Sequence, residues 1–133
     1  MNLFEWVLAY IDYLNQFKNN LIDKTISGNE IICNYKSIGK CIYLTNEKLD
    51  LDVIKKISDA RTVLVCFNSI ENVNFLAKNW NEFINKNLKI IFVNPDINMQ
   101  WSIMPDVHDN VCDKSNLRQG LLSLFESVPP VDY

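Results

Sequence analysis

Residues 61–96 read RTVLVCFNSIENVNFLAKNWNEFINKNLKIIFVNPD. Two short, almost wholly apolar runs flank a segment with apolar residues at Ile70, Val73, Leu76, Ala77, Trp80, Phe83 and Ile84. A continuous apolar run bounded by polar turn residues suits a strand buried on both faces, and the three-then-four spacing between the runs suits an amphipathic helix. The stretch is therefore a strand–helix–strand unit, and its tight return at Asn85-Lys86-Asn87 suits a crossover between parallel neighbours. Units of this kind carry a crevice outside the carboxyl ends of their strands, which here places Asn68, Ser69, Asn94 and Asp96 around one opening. Asn68 or Ser69 can cap the helix, with Glu71 three residues after Asn68 as in a capping box.

On the amino-terminal side, Leu3, Val7, Tyr10, Ile11, Leu14 and Phe17 fall at helical spacing, with Glu5, Asp12, Asn15 and Gln16 on the polar side. The period predicts a helix over residues 3–17. Phe4, Trp6, Leu8 and Tyr13 widen its apolar face, which fits deep burial against a sheet or contact with a partner. Residues 21–26 fit an edge strand or an extended connection. Glu30 to Tyr35 and Lys40 to Thr45 read as a hairpin, with Gly39 supplying positive φ between them. Ile31, Cys33 and Tyr35 share one of its faces. Leu49, Val53, Ile54 and Ile57 predict a short helix that Asp50 or Asp52 can cap.

Beyond Asp96 the pattern weakens, with room for a short helix and one more short strand. Ser115 is a suitable cap for a helix whose stripe is Leu117, Leu121, Leu124, Phe125 and Val128, ended by Pro129-Pro130. A close approach to the sheet would account for Gly120 inside it. The expected architecture is one α/β domain over residues 1–133: an N-terminal helix, a β-hairpin, then the βαβ unit. Together they give a mixed sheet of about four or five strands with helices packed on it.

The 133 residues are 48% hydrophobic and 22% charged, a globular composition of single-domain size. A net charge of −3 and only two arginines, Arg61 and Arg118, make nucleic acid an unlikely partner, since phosphate neutralisation needs a basic surface. The four cysteines, Cys33, Cys41, Cys66 and Cys112, show no C-x-x-C pair. They read as reduced core thiols of a cytoplasmic protein, although Cys33 and Cys41 can face each other across the hairpin. The apolar start is interrupted by Glu5 and Asp12 and is shorter than the ~20 residues of a membrane span, so no membrane association is expected.

The sequence holds no G-x-G-x-x-G, no G-x-x-x-x-G-K-[ST] and no G-x-S-x-G. His108 is the lone histidine, flanked by Asp106 and Asp109 and within possible reach of Asp96. It is the first choice for any general base near neutral pH. With no second histidine there is no metal pair, and neither a metal site nor a cofactor is expected. Trp101 in a polar setting suits a ligand platform, an interface anchor or a core plug under a loop.

Two resemblances follow from the element order. Helix, hairpin, strand, helix, strand is similar to the core of restriction-endonuclease-like nucleases, which carry [DE]-x-K on the third strand. Counted that way, the strand is VLVCFNS (63–69) and holds neither residue, so the resemblance implies an inactive nuclease-like domain. Residues 30–126 also resemble STAS domains of the anti-sigma-factor-antagonist type. That likeness implies a phosphorylatable serine after the central strand, for which Ser69 is the position, though the acidic residue usual there is missing.

Few catalytic candidates and no motif favour a small non-enzymatic module, a regulatory or complex subunit acting through a protein partner or self-association. Phe4, Trp6, Tyr13 and Trp101 are its candidate interface residues. The alternative is a small-ligand or nucleotide-binding protein or enzyme using Asn68, Ser69, Asn94 and Asp96, with His108 closing over them.

Overall fold

The computed structural model describes residues 2–131, and in it the two apolar runs are parallel neighbours inside the sheet. They are β4 (Arg61–Phe67) and β5 (Leu88–Asn94), joined in register from Thr62 opposite Leu88 to Phe67 opposite Val93. Before them come α1 (Leu3–Lys18), the meander β1 (Leu21–Ser27), β2 (Glu30–Tyr35) and β3 (Gly39–Thr45), and the short helix α2 (Leu51–Lys56). The linking helices between β4 and β5 are α3 (Ile70–Lys78) and α4 (Trp80–Phe83). After β5 the chain adds β6 (Met99–Ile103), α5 (Pro105–Val111), a 3₁₀ turn (Lys114–Asn116) and α6 (Leu117–Glu126). The six strands lie in chain order, β1 to β6. The β3–β4 and β4–β5 pairs are parallel, and every other pair is antiparallel.

The α/β single-domain architecture is as expected, with a six-stranded sheet in place of four or five strands. The additions are at the two edges, β1 and β6, where largely exposed strands give too weak a period to stand out. This count also revises the nuclease comparison. VLVCFNS belongs to the fourth strand, while the third, GKCIYLT, likewise lacks an acidic residue paired with lysine.

Side-chain alternation along the central strands sorts them into two cores. Leu64, Cys66, Ile90 and Phe92 face α2, α3, α4 and α6, packing with Val53, Val73, Leu76, Phe83 and Leu121. Val63, Val65, Ile91 and Val93 face α1, packing with Leu3, Trp6, Val7 and Ile11. Fully buried side chains such as Phe83, Leu76 and Ile11 each contribute about 1.5–3 kcal/mol through burial. A single helix serves the second face, so α1 leaves part of that face open along its flank.

Local chemistry sets the breaks. Gly39 takes φ of +74° in the β2–β3 turn, as its position requires. Asp50 caps α2 by accepting from the Val53 N–H. The predicted single helix from 70 to 84 divides at Asn79, whose side chain and backbone N–H both donate to the Phe75 carbonyl, each at 3.0 Å. That side-chain bond competes with helix continuation. Ser115 does not cap α6; Asp113 accepts from the Ser115 N–H and caps the 3₁₀ turn that precedes it. Gly120 meets no close neighbour, so a tight helix–sheet approach does not account for it.

Candidate functional site

At the carboxyl ends of β3, β4 and β5, three asparagines take up backbone groups in the same way. Asn68 is 0% exposed. Its amide donates to the Phe125 and Val128 carbonyls at 3.2 and 2.8 Å, and its Oδ1 accepts from Trp101 Nε1 at 2.8 Å. Asn72 donates to the Glu47 and Phe67 carbonyls and accepts from the Leu49 N–H, all at 2.8 Å. Asn94 donates to the Pro129 and Pro130 carbonyls at 3.1 and 3.3 Å and accepts from the Asp96 N–H at 3.2 Å. Each amide thus uses both donor hydrogens and its oxygen on the protein itself. Ser69 is buried too, its Oγ accepting from the Asn72 N–H as the cap of α3. Chain segment 128–131 runs beside these residues, with the Val131 N–H on the Asn68 carbonyl at 2.9 Å. Asn68, Ser69 and Asn94 do gather where the βαβ unit places them, but their polar groups are taken by backbone and by Trp101, and Asp96 sits exposed at the rim.

His108 is not part of this group. β6 runs antiparallel to β5 and delivers α5 to the amino end of β5, where Ile103 pairs with Ile90 and the Asp106 carboxylate accepts from the Asn85 N–H. The 7 residues of β5 separate the two ends by about 20 Å. The His108 ring packs edge-on against Trp80 at 5.7 Å, while Trp80 Nε1 donates to Asp109 at 2.9 Å. The expected closure of His108 over the strand ends therefore does not occur.

The interface candidates divide. Trp101 is 7% exposed, stacked on Phe92 at 4.2 Å and tied to Asn68, which makes it a core plug. Trp6 is buried, with Nε1 donating to Asn98 at 2.8 Å, and Phe4 is half-buried against the same core. Tyr13 alone of the four is exposed, at 56%, and its ring meets that of Phe17, itself 73% exposed.

Along the open flank of α1 the surface is concave in two places. Near the helix start, Trp6, Tyr10, Tyr13 and Gln100 border a hollow of about 630 Å³. Towards the helix end, at the amino ends of β4 and β5, a cleft of about 280 Å³ is lined by Tyr10, Lys18, Tyr35, Tyr43, Arg61 and Lys89 among others. Burial pushes the Tyr35 hydroxyl up to about 12 and that of Tyr43 higher still, and the two hydroxyls lie 3.3 Å apart. Burial likewise raises the Cys41 thiol to about 11 and, less far, that of Cys33, which stands opposite it in the hairpin. Both thiols are free.

Sequence reading passed over Asn72, Arg61 and Lys89. Asn72 gives no signal, since one asparagine in a helix looks like any other. The two cations do give one: Arg61 stands two residues before Val63, and Lys89 two before Ile91, so strand alternation puts both on the face that α1 covers. Among the described residues there is no metal-holding group of three or more acidic, cysteine or histidine side chains, and no helix long and apolar enough to cross a membrane. Comparison with known protein families, with curated proteins and with solved structures finds no match.

Proposed function

We propose that this chain is a non-enzymatic α/β module, a regulatory or complex subunit, that works by associating with a second polypeptide along the edge formed by α1 and β1. The supporting observation is a run of exposed large apolar side chains there: Tyr13 and Phe17 on α1, then Ile22 and Ile26 on β1. Scattered apolar side chains are ordinary on a surface, but these lie on two adjoining elements. The Leu21 N–H on Asn15 and the Lys24–Asp12 ion pair at 3.0 Å hold the elements together. β1 is also the first strand of the sheet, so its outer backbone groups are open to strand addition.

A second copy is the occupant that suits this edge. Two-fold antiparallel pairing of β1 about its middle sets Ile22 opposite Ile26 of the other copy and draws both residues of each chain into the contact. The alternative of a ligand at the strand ends is weaker, because the amides of Asn68 and Asn94 are already committed to backbone carbonyls.

Light scattering over a concentration series tests the proposal. The parent is expected to gain mass towards a dimer, and Phe17→Ser combined with Ile22→Lys to remain monomeric with unchanged circular dichroism. A parent that stays monomeric throughout, or a variant that dimerises as well as the parent, would defeat it.

A further inference from the structure

We propose that the cleft at the amino ends of β4 and β5, beneath the second half of α1, is a binding site for a small phosphate-bearing molecule. The backbone places its cations. Cys41, Arg61 and the hairpin residue Cys33 form one cross-strand row, and Tyr43, Val63 and Lys89 form the next. Residues of one row point to one face, and the burial of Cys33, Tyr43 and Val63 against α1 identifies it. Arg61 and Lys89 are thus held on neighbouring strands, on one face, at the mouth of one cleft.

Charge sets this cleft apart from the rest of the surface. The chain carries a net −3, yet Lys18, Arg61 and Lys89 all line the cleft and no described aspartate or glutamate does. The nearest acid on α1, Asp12, lies on the opposite side of that helix from Tyr10, Leu14 and Lys18, and its carboxylate is paired with Lys24. Neither Arg61 nor Lys89 makes an ion pair among the described residues. A concave wall of one sign over a low-dielectric floor concentrates potential and raises the local concentration of counter-ions. Arg61 is one of only two arginines, and its guanidinium suits two-point contact with a phosphate, whereas Lys89 acts as a point charge. Lys18 counts for less, since it also faces the carbonyl end of its own helix.

Neutral donors complete the set. The Tyr35 and Tyr43 hydroxyls, Ser37 and Asn20 lie on the same wall, with Leu14 and Ile38 as apolar surface. At about 280 Å³ the cleft is near the lower end of the range typical of ligand sites, roughly 300–1,000 Å³, which suits a compact metabolite. This site is separate from the α1–β1 edge proposed for association, and the two proposals stand or fall independently.

Heteronuclear NMR titration of the full chain at low salt tests it, with inorganic phosphate, pyrophosphate and adenosine monophosphate as probes and chloride as the control. The expected result is saturable shifts of the Tyr35, Ser37, Arg61 and Lys89 amides with at least one phosphate probe. In Arg61→Gln and Lys89→Gln that binding should weaken about tenfold or more, the loss of one charge-assisted hydrogen bond. Both side chains reach solvent, and an unchanged melting temperature verifies folding. No saturable shift with any probe would overturn the proposal, as would equal binding by the double variant. A short DNA duplex that binds this surface when the small phosphates do not would also overturn it.

Discussion

The two ends of the parallel strands solve opposite problems with polar side chains. At the carboxyl ends, Asn68, Asn72 and Asn94 are buried and spend their hydrogen-bonding capacity on the backbone and, for Asn68, on Trp101 as well. At the amino ends, Arg61 is exposed and Lys89 half-buried, and no ion pair restrains either. One end is a lock that ties the C-terminal segment to the sheet; the other is a surface with capacity to spare. The difference teaches that a crevice expected from topology is open only if the chain does not fill it. The three buried asparagines mark the filled end, and two cations without an ion pair mark the open end.

The largest effect that can break this contrast is at Asn68. Asn68→Ala removes three side-chain hydrogen bonds and leaves Trp101 Nε1 and the Val128 carbonyl without their partner, while the Phe125 carbonyl keeps the Val128 N–H. A loss of about 3 kcal/mol or more is expected in urea denaturation, because orphaned buried groups cost about 1–3 kcal/mol each. A loss under about 1 kcal/mol would show that water replaces the lock. Asn72→Ala comes next, at about 2–3 kcal/mol, since one of its partners, the Glu47 carbonyl, belongs to an exposed residue.

A more gradual effect is expected in alkali, because the lock consists of amides while Cys33, Cys41, Tyr35 and Tyr43 at the amino end, and Cys66 in the helix-side core, can ionise. These groups are neutral when protonated, and burial favours the neutral form. The stability they contribute is complete below their ordinary values of 9.0 and 10.0. It is lost as pH rises through the raised ones, about 11 for Cys41 and about 12 for Tyr35. Urea midpoints should hold steady below pH 9 and fall from there to pH 12, and Tyr43→Phe should flatten the upper part of that decline. A parent midpoint that does not move across this interval would contradict the assignment.

The smallest effect sharpens the comparison from the other side. Arg61→Gln and Lys89→Gln should each change stability by no more than about 0.5 kcal/mol in the same assay, as for surface residues without partners. A larger loss would mean that the cleft cations carry structure, as the asparagines do.

How much was legible follows the range of the interactions. The βαβ unit, the hairpin and α1 could be read because burial on two faces or one imposes a period on neighbouring residues. The gathering of Asn68, Ser69 and Asn94 was readable from topology, but their occupation was not. The carbonyls of Phe125 and Val128 come from nearly 60 residues away, and nothing near Asn68 in the chain announces them. His108 was misplaced for a related reason: its helix, α5, follows the weakly patterned strand β6, whose antiparallel direction carries it to the far end of β5.

Local sequence is therefore sufficient for the βαβ unit, the hairpin and α1, for which of their side chains face which layer, and for the turn at Gly39. Those outcomes depend on contacts between near neighbours and on side-chain period. Only the tertiary structure decides that the strand-end crevice is filled and that Arg61 and Lys89 meet beside α1. Both depend on the meeting of residues distant in sequence, and hydrogen bonds and charges at such range leave no periodic trace in the chain.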